Sequence, residues 1–309
     1  MLKSGEDEVM RPWEGLERFG RRIAIGGGRE LFAFDSEAGA GAARSGDKPV
    51  LLLIHGLGDE ADTWRHLFPL LAGSARLIAP DLPGFGRSKA RGRVTLSSCA
   101  DAICALVEAE APGGAVLVGS SLGAALAELV TIKRPGLVRG LVLVDGGAPM
   151  IAGSSKGLLG MLTPGLGERQ YRSLRGDEEG AYRSLSPYYA DIEALPERDR
   201  GFLARRVVER VESDSQMRSY FSLFRSFALR LLFGAGGFKR AISAFSGPLL
   251  IVWGGRDRVA SRATADLLSG LAHNARVVDV ADAGHLVQQE RPAELAAAIE
   301  EMLSTTERR

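Results

Sequence analysis

Cysteine is nearly absent from this chain, with two residues, Cys99 and Cys104, among 309. They stand five apart in one helical stretch, where their side chains diverge, so no disulfide between them is expected. A chain without a disulfide framework fits a reducing compartment, and the cytoplasm is the expected location. Histidine is almost as scarce: four residues, His55, His66, His273 and His285, scattered along the chain. Donors this few and dispersed imply no metal cluster, and no cofactor is expected. Long hydrophobic runs are missing too. No uninterrupted apolar stretch reaches about 18 residues, and Met1 to Arg22 is charged without the apolar segment of a secretory leader. Neither a membrane span nor a signal peptide is therefore expected. Net charge is also small, +1 from 39 Lys and Arg against 38 Asp and Glu. It gives no electrostatic reason to expect nucleic acid or an anionic membrane surface as partner.

What is present is an ordinary globular composition, 45% hydrophobic and 25% charged. A chain this long buries about three quarters of its unfolded surface and slightly exceeds one simple domain. One large domain carrying an insertion is expected.

Residues 1–20 mix charges with little periodicity and read as a lead-in. Arg22 to Ile25 and Glu30 to Phe34 flank Gly26-Gly27-Gly28 and predict an antiparallel hairpin; 38–47 reads as a loop. Val50 to Ile54 is continuously apolar, as in a strand covered on both faces. Ala61 to Leu71 predicts a helix, Ala75 to Ala79 a strand, and Asp81 to Ser88 a loop. Thr95 to Ala111 has helical spacing, with Thr95 as N-cap and Pro112-Gly113-Gly114 as its stop. Then come a strand at Ala115 to Val118, a helix from Leu122 to Lys133 and a strand at Leu141 to Val144. This alternation predicts a parallel sheet with helices on both faces. It stops between Ala148 and Ser246, where amphipathic helical pieces rich in Arg and Glu replace it. It resumes with a strand at Pro248 to Trp253, a helix near Ser261 to Ala272, a strand at Arg276 to Val280 and a closing helix from Pro292 to Leu303.

The chemistry concentrates at Gly119-Ser120-Ser121-Leu122-Gly123. This G-x-S-x-G lies where an apolar strand ends and a helix begins, the context that gives the motif meaning. So sharp a turn strains the central residue and leaves no room for neighbouring side chains, which accounts for glycine two before and two after Ser121. That register makes Ser121 the exposed hydroxyl and Ser120 a turn residue. A serine hydroxyl needs a base within hydrogen-bond reach and a group that orients the base. His285 follows the last strand and belongs to the same sheet edge as Ser121. His55 precedes a Gly-Leu-Gly turn and suits bracing of loops; His66 and His273 read as packed or surface residues. Asp257, in Gly254-Gly255-Arg256-Asp257, gives the chain order Ser, Asp, His. Asp145, after the strand that follows the elbow, is the rival carboxylate.

His55-Gly56-Leu57-Gly58, Asp81-Leu82-Pro83-Gly84-Phe85-Gly86-Arg87-Ser88, the elbow, Gly254-Gly255-Arg256-Asp257 and Gly284-His285 occur in the order found in the α/β-hydrolase superfamily. The chain resembles that family over residues 20–303, the helical insertion excepted. The resemblance implies the α/β-hydrolase fold: a mostly parallel eight-stranded sheet with helices on both faces and a helical cap insertion. It divides the chain into a core domain, 21–147 and 247–309, and a cap, 148–246. It implies Ser121 as nucleophile, His285 as base and then acid, and Asp257 as orienter. The backbone N–H groups of Leu57 and Leu122 would form the oxyanion hole, with Phe85 and Arg87 as structural supports. Epoxide hydrolases and haloalkane dehalogenases of this fold carry aspartate where this chain has Ser121, so those chemistries are disfavoured.

The reading is a cofactor-independent serine hydrolase of a small to medium, largely apolar carboxylic ester. The same triad could open a carbon–carbon bond, thioester or lactone, and a non-catalytic ligand-binding protein is a further alternative. In the cap, Tyr220, Phe221, Phe224, Phe227 and Leu231 recur at helical spacing, as a cap core or as rings lining an acyl pocket. Phe221, Phe224, Met150 and Met161 are the candidate substrate contacts. The Arg-rich pieces at 169–183 and 198–210 read as solvated faces with paired charges.

Overall fold

Alternation within the apolar runs decides the architecture. In the computed structural model, which describes residues 10–38, 48–148 and 161–307, Leu51 and Leu53 point into one buried layer while Leu52 and Ile54 point into the other. Val116 and Val118 against Leu117 do the same one strand away, as do Leu250 and Val252 against Leu249 and Ile251. A pleated strand sends successive side chains to opposite faces, so a run apolar at every position needs cover on both.

The strands are β1 (Gly20–Ala24), β2 (Glu30–Asp35), β3 (Val50–Ile54), β4 (Arg76–Pro80), β5 (Ala115–Ser120), β6 (Val138–Val144), β7 (Leu249–Gly254) and β8 (Ala275–Val280). They form one eight-stranded sheet in the order β1-β2-β4-β3-β5-β6-β7-β8. β2 runs antiparallel to both neighbours and the pairs from β4 to β8 are parallel. The β1–β2 hairpin turns through Gly26, Gly27 and Gly28, all at positive φ, where a side chain would be strained.

One face of the sheet is covered by α2 (Leu96–Glu110), α3 (Leu122–Lys133) and α8 (Ala263–Leu271), following the short α1 (Phe68–Leu71), which lies on the other face with α10 (Pro292–Glu307). Thr95 caps α2 as expected, and Thr95 and Ser98 form a reciprocal capping box. The expected helix over 61–71 is broken. A 3₁₀ turn at Ala61–Trp64 and α1 replace it, because Pro69 lacks an N–H and its ring would strike the carbonyl one turn back in a continuous helix. A short helix at Val287–Glu290, α9, was not expected.

Between β6 and β7 the described residues contain helices and no strand: α4 (Leu166–Arg172), α5 (Glu178–Arg183), α6 (Glu197–Glu212) and α7 (Asp214–Ala244). This segment is anchored in both layers. Leu223, Phe227, Phe238 and Ile242 of α7 join the layer built on α2 and α3; Phe202 and Leu203 of α6 join the opposite one. Charge binds it as well. Arg210 of α6 pairs with Asp59 at 2.6 Å and Glu60 at 2.7 Å, and Arg65 pairs with Asp199 at 2.5 Å.

Candidate active site

The turn between β5 and α3 forces its central residue out of the ordinary backbone regions. Ser121 sits at φ 55 and ψ −119, with its N–H donating to the Val144 carbonyl at 2.8 Å. The surrounding glycines are fixed by contact. A Cβ on Gly119 would strike the Gly123 carbonyl, and one on Gly123 would strike the Ile54 carbonyl. Only a chain with hydrogen at both positions can bring β3, β5 and α3 together this closely. Ser120 points the other way, fully buried, its Oγ accepting from Gln288 Nε2 at 3.2 Å.

Beyond β8, His285 is buried and held by its backbone N–H, which donates to the Tyr188 carbonyl at 2.9 Å. Its Nε2 lies 2.8 Å from Ser121 Oγ and its Nδ1 lies 2.8 Å from Asp257 Oδ2. The other oxygen of Asp257 accepts from the backbone N–H groups of Val259 at 2.7 Å and Ala260 at 3.0 Å. The carboxylate is thus oriented by its own loop before it meets the imidazole. Asp145, the rival, is fully buried and accepts from the Gly254 N–H at 2.7 Å, not from His285. Burial, with the Asp257 charge beside it, pushes the Asp145 carboxyl well above the usual carboxylate range.

The loop after β3 lies against the serine. A Cβ on Gly56 would stand 3.2 Å from Ser121 Cβ, and Leu57 and Gly58 follow it along the wall of the cavity. Leu122 begins α3, where the first amides of a helix lack intrahelical acceptors and the dipole favours negative charge. His55 braces this loop: Nδ1–H donates to the Gly56 carbonyl at 2.8 Å while Nε2 accepts from the Leu82 N–H at 2.9 Å. Phe85 packs edge-on against His55, and Arg87 is buried between Asp81 and Asp62. His66 binds Asp199 at 2.7 Å, away from the serine. Among the described residues there is no group of three or more side chains suited to hold a metal ion.

Over Ser121 and His285 opens a cavity of about 670 Å³. Met161 and Phe221 line it, alongside Leu174, Leu185, Leu203, Val207 and Val211. Phe224 does not. It is buried behind the wall, its ring stacked on that of Tyr220 at 6.4 Å, because a stripe with helical spacing wraps past the cavity into the core. Met150 lies outside the described residues. The polar part of the lining is what sequence reasoning missed: Tyr171, Tyr188, Gln170, Asp59 and Arg210. Arg210 falls in a stretch read as a solvated face, yet its side chain is 12% exposed. Nothing in the local pattern marks it, since its partners Asp59 and Glu60 are some 150 residues away.

The profile of the alpha/beta hydrolase family matches residues 51–298. The chain belongs to that family. The esterase Rv0045c of Mycobacterium tuberculosis is 29% identical over 269 residues, covering 84% of this hydrolase and 84% of the relative. The pimeloyl-[acyl-carrier protein] methyl ester esterase of Sodalis glossinidius is 41% identical over 100 residues, 32% of this hydrolase and 37% of that esterase. The hydrolase spans between 37% and 59% of the length of three of the curated relatives it matches, the Sodalis esterase among them. Among solved structures, a 2-hydroxy-6-oxo-6-phenylhexa-2,4-dienoate hydrolase from Rhodococcus sp. strain RHA1 superposes with a TM-score of 0.75 at 21% identity, covering 92% of this chain and 98% of that one. At that identity the likeness concerns the fold. No helix among the described residues is long and apolar enough to cross a membrane.

Proposed function

We propose that this hydrolase is a cofactor-independent serine esterase acting on small to medium, largely apolar carboxylic esters in the cytoplasm. Its core, 21–147 and 247–309, would carry the chemistry, and 148–246 would cap it behind the lead-in at 1–20. The observation that carries the reading is His285 bridging Ser121 Oγ and Asp257 Oδ2 at 2.8 Å on each side. Two relatives named as esterases and the mainly apolar cavity support it.

In this mechanism His285 Nε2 takes the Ser121 proton as Oγ attacks the ester carbonyl. Asp257 holds the proton on Nδ1 and stabilises the imidazolium. The new oxyanion is received by the N–H groups of Leu57 and Leu122, each such donor being worth roughly 10²–10³ in rate. His285 then protonates the leaving alcohol, and water, deprotonated by the same imidazole, releases the acid. General base catalysis adds roughly 10²–10⁴.

A fluorophosphonate should label the protein at Ser121, and Ser121→Ala should abolish both labelling and ester turnover while the fold persists. Unchanged ester turnover in Ser121→Ala overturns the reading. A panel of p-nitrophenyl esters graded in acyl length, run beside ring-fission, thioester and lactone compounds, identifies the bond: the ester must give the highest kcat/KM.

A further inference from the structure

Four tyrosines line the mainly apolar cavity, and one of them, Tyr189, donates its hydroxyl to Gln289 Oε1 at 2.9 Å. Tyr171, Tyr188 and Tyr220 are the other three, and their hydroxyls make no hydrogen bond among the described residues. Each therefore meets either water or a ligand. These hydroxyls are not sealed from solvent in the free protein; a ligand that displaces their water without offering an acceptor would leave each unpaired at a cost of about 1–3 kcal/mol, so the wall favours a substrate that brings an acceptor with it.

The phenols also converge. The Tyr171 and Tyr220 rings lie 5.7 Å apart, and the Tyr188 ring lies 5.9 Å from that of His285. A Cβ on Gly58, one residue beyond Leu57, would stand 3.0 Å from the Tyr220 ring. The polar wall is thus immediately beside both the base and the oxyanion loop. Burial pushes all three phenols above their ordinary value, so each keeps its proton and donates.

Arg210 completes the wall. Its Nε and one Nη are used by Glu60 and Asp59, while its other Nη makes no hydrogen bond among the described residues and belongs to a cavity-lining side chain. The guanidinium charge is already matched by those two carboxylates, Glu60 being 1% exposed. The wall is rich in donors and carries no surplus positive charge, which suits a neutral acceptor over an anion.

Resting on the esterase reading, we propose that the substrate is an ester bearing a second, uncharged carbonyl (ketone, amide or ester) a few bonds from the scissile one. Tyr171, Tyr188 and Tyr220 select it by hydrogen bonding. A site built to donate to a substrate oxygen discriminates against the analogue that lacks it.

The experiment compares kcat/KM for p-nitrophenyl hexanoate, its γ-oxo and δ-oxo derivatives, and mono-p-nitrophenyl adipate, in the wild-type chain and in Tyr171→Phe, Tyr188→Phe, Tyr220→Phe and the triple variant. Because no described protein group loses a partner, the Phe variants should fold, as melting temperature will report. The better oxo ester should exceed the plain hexanoate by at least 10-fold. Each Phe substitution should lower that ratio roughly 3- to 10-fold where its hydroxyl is used, and the triple variant should bring it near one. Hexanoate turnover with no oxo preference overturns the proposal and leaves ester hydrolysis standing, as does a preference that survives in the triple variant. A carboxylate ester preferred over both oxo esters overturns the neutral acceptor. If no ester is cleaved and Ser121 resists fluorophosphonate, the esterase reading itself fails, and the proposal with it.

Discussion

Asp257→Asn is the sharpest test of the proposed triad because the loop leaves the new amide one comfortable orientation. In the native chain Oδ1 accepts two backbone N–H groups, Val259 at 2.7 Å and Ala260 at 3.0 Å, and Oδ2 faces His285 Nδ1 at 2.8 Å. An asparagine that keeps its oxygen on the two amides must turn its NH₂ toward Nδ1. That nitrogen then has to accept, so the proton moves to Nε2, and the imidazole can no longer take one from Ser121. The productive tautomer needs the amide flipped, with its NH₂ against two backbone donors. Orphaning both costs about 1–3 kcal/mol each, which leaves a productive fraction reduced roughly 30-fold to 10⁴-fold at 1.36 kcal/mol per decade. Loss of the negative charge beside the imidazolium adds to this, so kcat/KM should fall toward the roughly 10⁴-fold loss typical of such a change. The assay is steady-state hydrolysis of a p-nitrophenyl ester at neutral pH, with near-ultraviolet circular dichroism to confirm packing. A variant within tenfold of wild type refutes the reasoning, all the more if Asp145→Asn is crippled.

Other consequences follow from groups away from the triad. Gly123→Ala would push a methyl onto the Ile54 carbonyl; overpacking of this kind costs about 1–3 kcal/mol or more, so urea unfolding should shift to lower midpoint and fluorophosphonate labelling should drop. Arg210→Met leaves Asp59 without its cation and leaves Glu60 with Arg206 as its ion-pair partner; burial raises the Glu60 pKa, but Arg210 and Arg206 outweigh it and bring the value down to about 2. Breaking such a buried pair should destabilise by about 3–5 kcal/mol in equilibrium unfolding. Glu128 of α3 is fully buried, accepts from the Ala148 N–H at 2.6 Å, and burial raises its pKa well above 4.5. Its contribution is fully present below the unfolded value and is lost as pH rises through the folded one, by up to about 1.4 kcal/mol per pH unit while only the unfolded chain is ionised. Glu128→Gln should therefore melt higher than wild type at pH about 8, and the advantage should vanish near pH about 4; an equal difference at both would count against a neutral Glu128.

The readable part of this chain was the part governed by local constraint. Gly119 and Gly123 report a turn in which no Cβ fits, and that alone fixes Ser121 as the strained residue. Apolar runs such as Val50 to Ile54 report two-sided cover, and parallel pairing then brings the ends of β3, β5, β7 and β8 to one edge, with His55, Ser121, Asp257 and His285 beyond them. Pro69 explains the helix that was expected and is broken. What stayed hidden depends on contacts far apart in sequence. Arg206 and Arg210 look like one face of a charged helix until Glu60 is brought against them, and the helical spacing of Phe221 and Phe224 cannot say that one ring faces the cavity while the other backs onto Tyr220. Tyr171 and Tyr188 belong to no pattern at all; Tyr171 comes from α4 and Tyr188 from the 3₁₀ turn Ser186–Tyr188 that follows α5, and only their packing around the cavity gives the two hydroxyls a common space.

The imidazole that would activate Ser121 lies 164 residues further along the chain. As the polypeptide leaves the ribosome, the alcohol is complete long before anything nearby can take its proton, and the elbow stays inert until β8 has docked at the far margin of the sheet. On the esterase reading, hydrolytic competence would wait on that docking, and an assay of nascent-chain reactivity would register it.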